Sequence, residues 1–119
     1  MMAMKNSVQR YGSVVGVKDS MVARYQELHA AAWPEVLAVI TRSNIRNYSI
    51  YLRKLADGRH YLFSYFEYTG NDFAADTARI AADATTQRWW AECVPWLELL
   101  PDRAPGEIWS AMQEVFHLD

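Results

Sequence analysis

The stretch Ile45-Arg-Asn-Tyr-Ser-Ile-Tyr-Leu-Arg53, followed by Asp57-Gly58 and then His60-Tyr-Leu-Phe-Ser-Tyr-Phe-Glu-Tyr68, reads as a β-hairpin. Aromatic and β-branched side chains suit a pleated surface, and Asp-Gly supplies the positive φ angles that a tight hairpin turn requires. Strict alternation puts Ile45, Asn47, Ser49 and Tyr51 on one face and Arg46, Tyr48, Ile50 and Leu52 on the other. Tyr48 and Tyr51 thus point to opposite sides. Both faces of the hairpin carry aromatic rings, so each needs a cover: one from helices, the other from a second copy of the chain or from a cavity wall.

Immediately before the hairpin, Val22, Tyr25, His29, Ala32, Val36 and Ile40 step by threes and fours, which predicts an amphipathic helix from about Ser20 to Thr41. Trp33-Pro34 breaks it, because the proline lacks a backbone donor, crowds the carbonyl of Ala30 and pushes Trp33 out of helical dihedrals. His29 then lies near the C-terminal end of the first segment, pointing inward, one turn beyond Tyr25. Unpaired carbonyls at such an end favour a protonated imidazole. Two readings of His29 stand on this helix alone: a core histidine with both nitrogens satisfied, or a proton donor facing an opening in the packing.

Further out, Val8 to Val17 reads as a strand in which Gly12 and Gly16 signal close backbone approach or a bulge, and residues 1–7 read as a flexible leader. Beyond the hairpin, Gly70-Asn71-Asp72 opens a second helical stretch with Phe73, Thr77, Ile80 and Ala81 on its apolar face. Residues 83–86 form a joint. Thr85 or Thr86 then caps a helix carrying Gln87-Arg88-Trp89-Trp90-Ala91-Glu92-Cys93-Val94, which Pro95 closes. Residues 95–110, punctuated by Pro95, Pro101, Pro105 and Gly106, are irregular, and Ala111 to Leu118 reads as a last strand. The order β-α-β-β-α-β is that of a ferredoxin-like α+β fold, an antiparallel sheet with helices on one face. A homodimer that buries the other face follows.

At 119 residues the chain forms one domain with a core large enough to need no staples. No apolar run reaches the roughly 20 residues that span a bilayer, and the N-terminal residues lack the apolar core of a signal peptide. Cys93 is the single cysteine and forms no internal disulfide, which together with the preceding points indicates a cytoplasmic protein without a membrane partner. A net charge of −2 with dispersed lysines and arginines lacks the electrostatic footprint of a nucleic-acid binder.

The chain contains no Gly-rich phosphate loop, no paired cysteines, no histidine spacing suited to a metal and no Gly-x-Ser-x-Gly turn. Nucleotide, metal and covalent chemistry are disfavoured. What remains is His29, a set of tyrosines, and Trp89-Trp90 beside Arg88. Adjacent helical residues diverge by about 100°, so one tryptophan packs inward while the other can face a cleft; both being structural is the alternative. Aromatic faces also suit the apolar faces of sugars.

Taken together, Tyr25…His29…Trp33-Pro34-Glu35, Asn47-Tyr48-Ser49-Ile50-Tyr51-Leu52, Gln87-Arg88-Trp89-Trp90 and Gln113-Glu114-Val115-Phe116-His117-Leu118 resemble the L-rhamnose mutarotase family, in order and at matching spacings over residues 9–118. The resemblance implies a dimeric α/β barrel and a cofactor-free isomerase that interconverts the α and β anomers of a deoxy sugar, L-rhamnose first and L-fucose or another aldose as alternatives. It implies His29 as proton donor, with Tyr25, Tyr48, Trp89 and Trp90 contacting the sugar. The chain departs from the family pattern through residues 70–84 and from Ala91 to Trp109. Two kinds of rival reading remain: on fold analogy alone, a small oxygenase or a haem-binding protein; and a non-catalytic sugar-binding or assembly module in which His29 only forms hydrogen bonds.

Overall fold

The structure, a computed structural model, describes residues 8–119; the expected leader at 1–7 lies outside them. Strand β1 (Gln9–Val17) leads through a single 3₁₀ turn at Asp19–Met21 into helix α1 (Val22–Ala30) and then α2 (Pro34–Arg42). The hairpin follows as β2 (Ile45–Lys54) and β3 (His60–Tyr68), then helices α3 (Phe73–Ala82) and α4 (Ala84–Cys93). A 3₁₀ turn at Val94–Trp96 precedes the short strands β4 (Leu97–Glu98) and β5 (Ser110–Met112). The sheet runs β2-β3-β1-β4, with β5 also on β1, and every pairing is antiparallel. This is the ferredoxin-like order expected from the chain.

Val15, Val17 and Leu62 project from one sheet face into a core shared with Tyr25 of α1, Val36 of α2 and Trp89 and Cys93 of α4. Burying each large aliphatic side chain contributes roughly 1.5–3 kcal/mol, so this face holds the helices to the sheet. Val22, Ala32 and Ile40 of the predicted stripe pack against the same core. The helix breaks where expected, with Trp33 extended (φ −67°, ψ 128°) and Pro34 at the first position of α2. A Cβ on Gly16 would stand 2.8 Å from the carbonyl oxygen of Glu98, which explains the glycine as the point where β4 presses on β1.

Three expectations are corrected. Strict alternation along the hairpin fails: Ile45 faces Tyr68 and Arg46 faces Glu67, but Ser49 faces Tyr65, so β2 holds one extra residue. This bulge separates Ile45 from Ser49 and Tyr51 and sets it on the helix-covered side, where it is buried beside Tyr68. Tyr48 also faces the helices and Tyr51 faces away. The cap of α4 is Asp83 rather than Thr85 or Thr86: its carboxylate accepts from the backbone N–H of Thr86 at 2.8 Å and from the Thr86 hydroxyl at 3.0 Å. An ionised carboxylate satisfies the orphan donors of a helix start more strongly than a hydroxyl does.

The last strand is also shorter than its sequence pattern. It pairs with β1 only over Ser110–Met112, and beyond this Val115, Phe116 and Leu118 stand 88%, 78% and 78% exposed. Arg10 nonetheless pairs with Glu114 at 2.8 Å. The alternating pattern there is real, but within one chain it meets no surface to cover it.

Candidate active site

The break at Trp33-Pro34 ends α1 directly beyond His29 and so opens a cavity between α1, α2, α4 and the inner face of the hairpin. The cavity measures about 710 Å³ and is walled by His29, Val36, Ile40, Tyr48, Ile50, Phe66, Trp89 and Trp90, among others. That is the size range of small-molecule sites, and the mixture of apolar walls with few polar groups is typical of them. A smaller cavity of about 190 Å³, walled by Val17, Tyr25, Gln26, His29 and Leu62 among others, also borders the histidine.

His29 therefore borders both cavities, yet its ring is closely held. It stacks on Tyr25 with 3.9 Å between ring centroids, and Trp89 meets it edge-on at 4.9 Å. Trp33 in turn meets Trp89 edge-on at 5.2 Å. Nδ1 lies 2.9 Å from the backbone carbonyl oxygen of Tyr25. A carbonyl only accepts, so Nδ1 carries the proton and Nε2 is the nitrogen left with a lone pair in the neutral ring. Among the described residues Nε2 has no hydrogen-bond partner.

Burial lowers the His29 pKa below its ordinary value, and the bond to the Tyr25 carbonyl offsets only part of that effect. The expectation of a ring held protonated by the helix end is corrected here: desolvation under Trp89 and Tyr25 outweighs the carbonyls. Burial also raises the pKa of both Tyr25 and Tyr48 above the ordinary phenol value, so both hydroxyls stay protonated near neutrality. The Cys93 thiol beneath them is pushed up to about 11 by the same desolvation and stays neutral.

Of the five residues singled out from the sequence, His29, Tyr48, Trp89 and Trp90 wall the larger cavity, and Tyr25 walls the smaller one with His29. Trp89 is buried, whereas Trp90 is 39% exposed and borders the cavity, which matches the predicted division between packing and cleft. Tyr48 rests its ring against Phe66 at 5.4 Å, and Phe66 stacks with Tyr11 at 5.2 Å. Phe66, Ile50 and Gln26 were not foreseen as neighbours of the site. Alternation along β3 places Phe66 and Leu62 on one face, a signal that could have found the first; Gln26, four residues after Val22 and three before His29, was within reach of the helix spacing.

The model of the L-rhamnose mutarotase family matches residues 10–118. The chain belongs to that family. An L-rhamnose mutarotase of Bacteroides thetaiotaomicron is 31% identical over 103 residues, covering 87% of this chain and 91% of its own. One of Opitutus terrae is 34% identical over 113 residues, covering 92% and 98%. The crystal structure of an L-rhamnose mutarotase from Formosa agariphila superposes with a TM-score of 0.69 at 20% identity over 93% of this chain and 99% of that one, which supports the fold. Membership makes this chain a mutarotase-family carbohydrate isomerase, the class its motifs resemble. No helix among the described residues is long and apolar enough to cross a membrane.

Proposed function

We propose that this protein interconverts the α and β anomers of L-rhamnose, with His29 moving the proton. The observation that carries the reading is the bond from His29 Nδ1 to the Tyr25 carbonyl, which leaves Nε2 as a free base beside the cavity. Neutral Nε2 takes the proton from the anomeric hydroxyl as the bond from the anomeric carbon to the ring oxygen breaks, and the imidazolium so formed donates that proton to the ring oxygen. Both oxygens are bonded to the same carbon, so one nitrogen serves both. The open aldehyde rotates about its bond to the neighbouring carbon. Reclosure runs the same transfers in reverse and yields the other anomer. The donor role implied for His29 by the family resemblance is the second half of this cycle.

Tyr48 and Tyr25, kept as phenols, serve as hydrogen-bond donors to sugar oxygens, while Trp90 and Trp89 wall the apolar face of the ring. Proton exchange of this kind needs no metal or organic cofactor. Saturation-transfer NMR of anomer exchange, run with L-rhamnose, L-fucose and other aldoses, tests the proposal: exchange faster than the buffer rate is expected first for L-rhamnose. Exchange at the buffer rate for every sugar would refute it.

A homodimer completes this reading. On the sheet face away from the helices, Tyr51 pairs with Phe63 and Phe63 with Val14 in one row across three strands, and Tyr51 is 64% exposed. That row, with the exposed Val115, Phe116 and Leu118, is apolar area suited to a self-complementary partner. We place the protein in the cytoplasm, in keeping with a sugar-metabolising family and a lone buried thiol.

A further inference from the structure

The bulge in β2 decides which side chains of the hairpin reach the site. Ile45 must face the helices, because it pairs with buried Tyr68 and is itself buried. Tyr48 must face the same side, because its ring contacts Phe66 and borders the cavity of His29. Residues three apart on a regular strand face opposite sides, so both conditions hold only if one residue is inserted between them. That insertion lies between Arg46 and Ser49 and contains Asn47 with φ 51°, in the left-handed region. Asparagine is one of the few side-chain-bearing residues that enters this region routinely.

The Asn47 side chain is anchored on the opposite sheet face. Its amide Nδ2 donates to Glu67 at 2.7 Å, and the second carboxylate oxygen of Glu67 accepts from the Tyr65 hydroxyl at 2.8 Å. One residue thus holds its side chain on the far face while its neighbour Tyr48 turns inward. We infer that Asn47 is a positioning residue for the sugar site: its left-handed backbone, pinned to Glu67, makes the bulge that turns Tyr48 into the His29 cavity. The inference rests on the proposed role of Tyr48 in the mutarotase reaction. Asn47 also borders the cavity, but its amide is committed to Glu67, so it acts through Tyr48.

The test compares Asn47→Gly, which tolerates positive φ, with Asn47→Val, whose β-branch disfavours it. Asn47→Val is expected to lose the nuclear Overhauser effect between the Tyr48 and Phe66 rings and to lower kcat/KM for L-rhamnose exchange by on the order of 10²-fold, as a displaced contact group can. Asn47→Gly is expected to retain the ring contact and most of the exchange rate. In a Tyr48→Ala background Asn47→Val should add little, since nothing is left to position. Glu67→Ala, which releases the anchor and leaves the β2 backbone chemistry alone, should show the same pattern in smaller measure and decides the matter if Asn47→Val does not fold. Persistence of the Tyr48–Phe66 effect in Asn47→Val, or in Glu67→Ala where that variant decides, would overturn the inference, as would an equal rate loss with and without Tyr48. A wild-type protein without anomer exchange would sink the mutarotase reading instead, and the ring contact would still decide the role of Asn47.

Discussion

His29 donates its Nδ1–H to the carbonyl oxygen of Tyr25, one turn earlier on the same helix, while its ring lies 3.9 Å from the phenol of that residue. A single side chain thereby has its tautomer set by the backbone and its plane set by a stacked ring. The pairing follows from the i, i+4 spacing of the two residues.

Replacing His29 by Asn keeps a polar group of similar size and removes the titrating nitrogen. The enhanced anomer exchange should fall about 10²- to 10⁴-fold, the range contributed by a positioned acid or base. Thermal unfolding should show a folded protein. Wild-type exchange per folded molecule would mean that His29 is only a core residue.

The pH dependence of kcat/KM follows from the direction of the His29 shift. Its pKa is lowered by burial, so the ring is neutral at pH 7 and becomes protonated only below the ordinary value of 6.5. Exchange should be level through neutrality and should decline on acidification with a midpoint under 6.5. A decline on raising the pH through 7 would indicate that the free enzyme must carry imidazolium.

The two tryptophans should separate by phenotype. Trp89 is 7% exposed and touches both His29 and Trp33, so Trp89→Ala should cost stability of about 3–5 kcal/mol. Trp90→Ala should leave the unfolding midpoint nearly unchanged and raise KM for the sugar. Denaturant titration with exchange kinetics checks both, and an unstable Trp90→Ala would contradict the division of roles.

Asp76 is buried among Tyr68, Asn44 and Arg79, whose hydrogen bonds hold its carboxyl down to about 2. A carboxylate lowered on folding stabilises the fold above the unfolded value near 3.8, and that contribution is lost as the pH falls toward 2. Asp76→Asn should lower the thermal midpoint at neutral pH and flatten its fall across that acid range. Parallel melting curves for the two proteins from pH 5 to 2 would remove Asp76 from the account.

Equilibrium sedimentation should give twice the 13.7 kDa protomer mass. Phe116→Asp, on the exposed C-terminal segment, should shift the protein toward monomer while preserving secondary structure. A wild-type monomer at micromolar concentration would exclude the dimer.

The elements whose reading depended on periodicity were legible before the structure: the broken helix from Tyr25 to Val36, the Asp57-Gly58 hairpin, and the inward set of His29. Features created by a contact between distant segments were not. The Asn47 bulge exists because Ile45 answers to Tyr68 while Tyr48 answers to Phe66, and no local pattern expresses both demands. Asp76 is absent from the apolar face predicted for its helix, yet it is buried because Tyr68 and Asn44 converge on it. The protonation preference of His29 turned on the depth of its burial, a property of the assembled core that helix position alone does not contain.

Strand β1 lies between β3 on one side and β4 and β5 on the other, pairing Gln9 with Tyr68 and Val14 with Ser110. When the chain leaves a ribosome, β1 appears before β3, β4 and β5 and must wait for partners encoded far downstream. Contacts this distant in sequence close slowly, because the entropy of a long loop is lost before the pairing repays it. The outer edge of β1, from Gly12 to Val17, stays unpaired during that interval. Acquisition of the native state in this protein is consequently gated by the arrival of its C-terminal third, and a ribosome-stalled chain ending before Leu97 should expose a sticky, half-paired sheet.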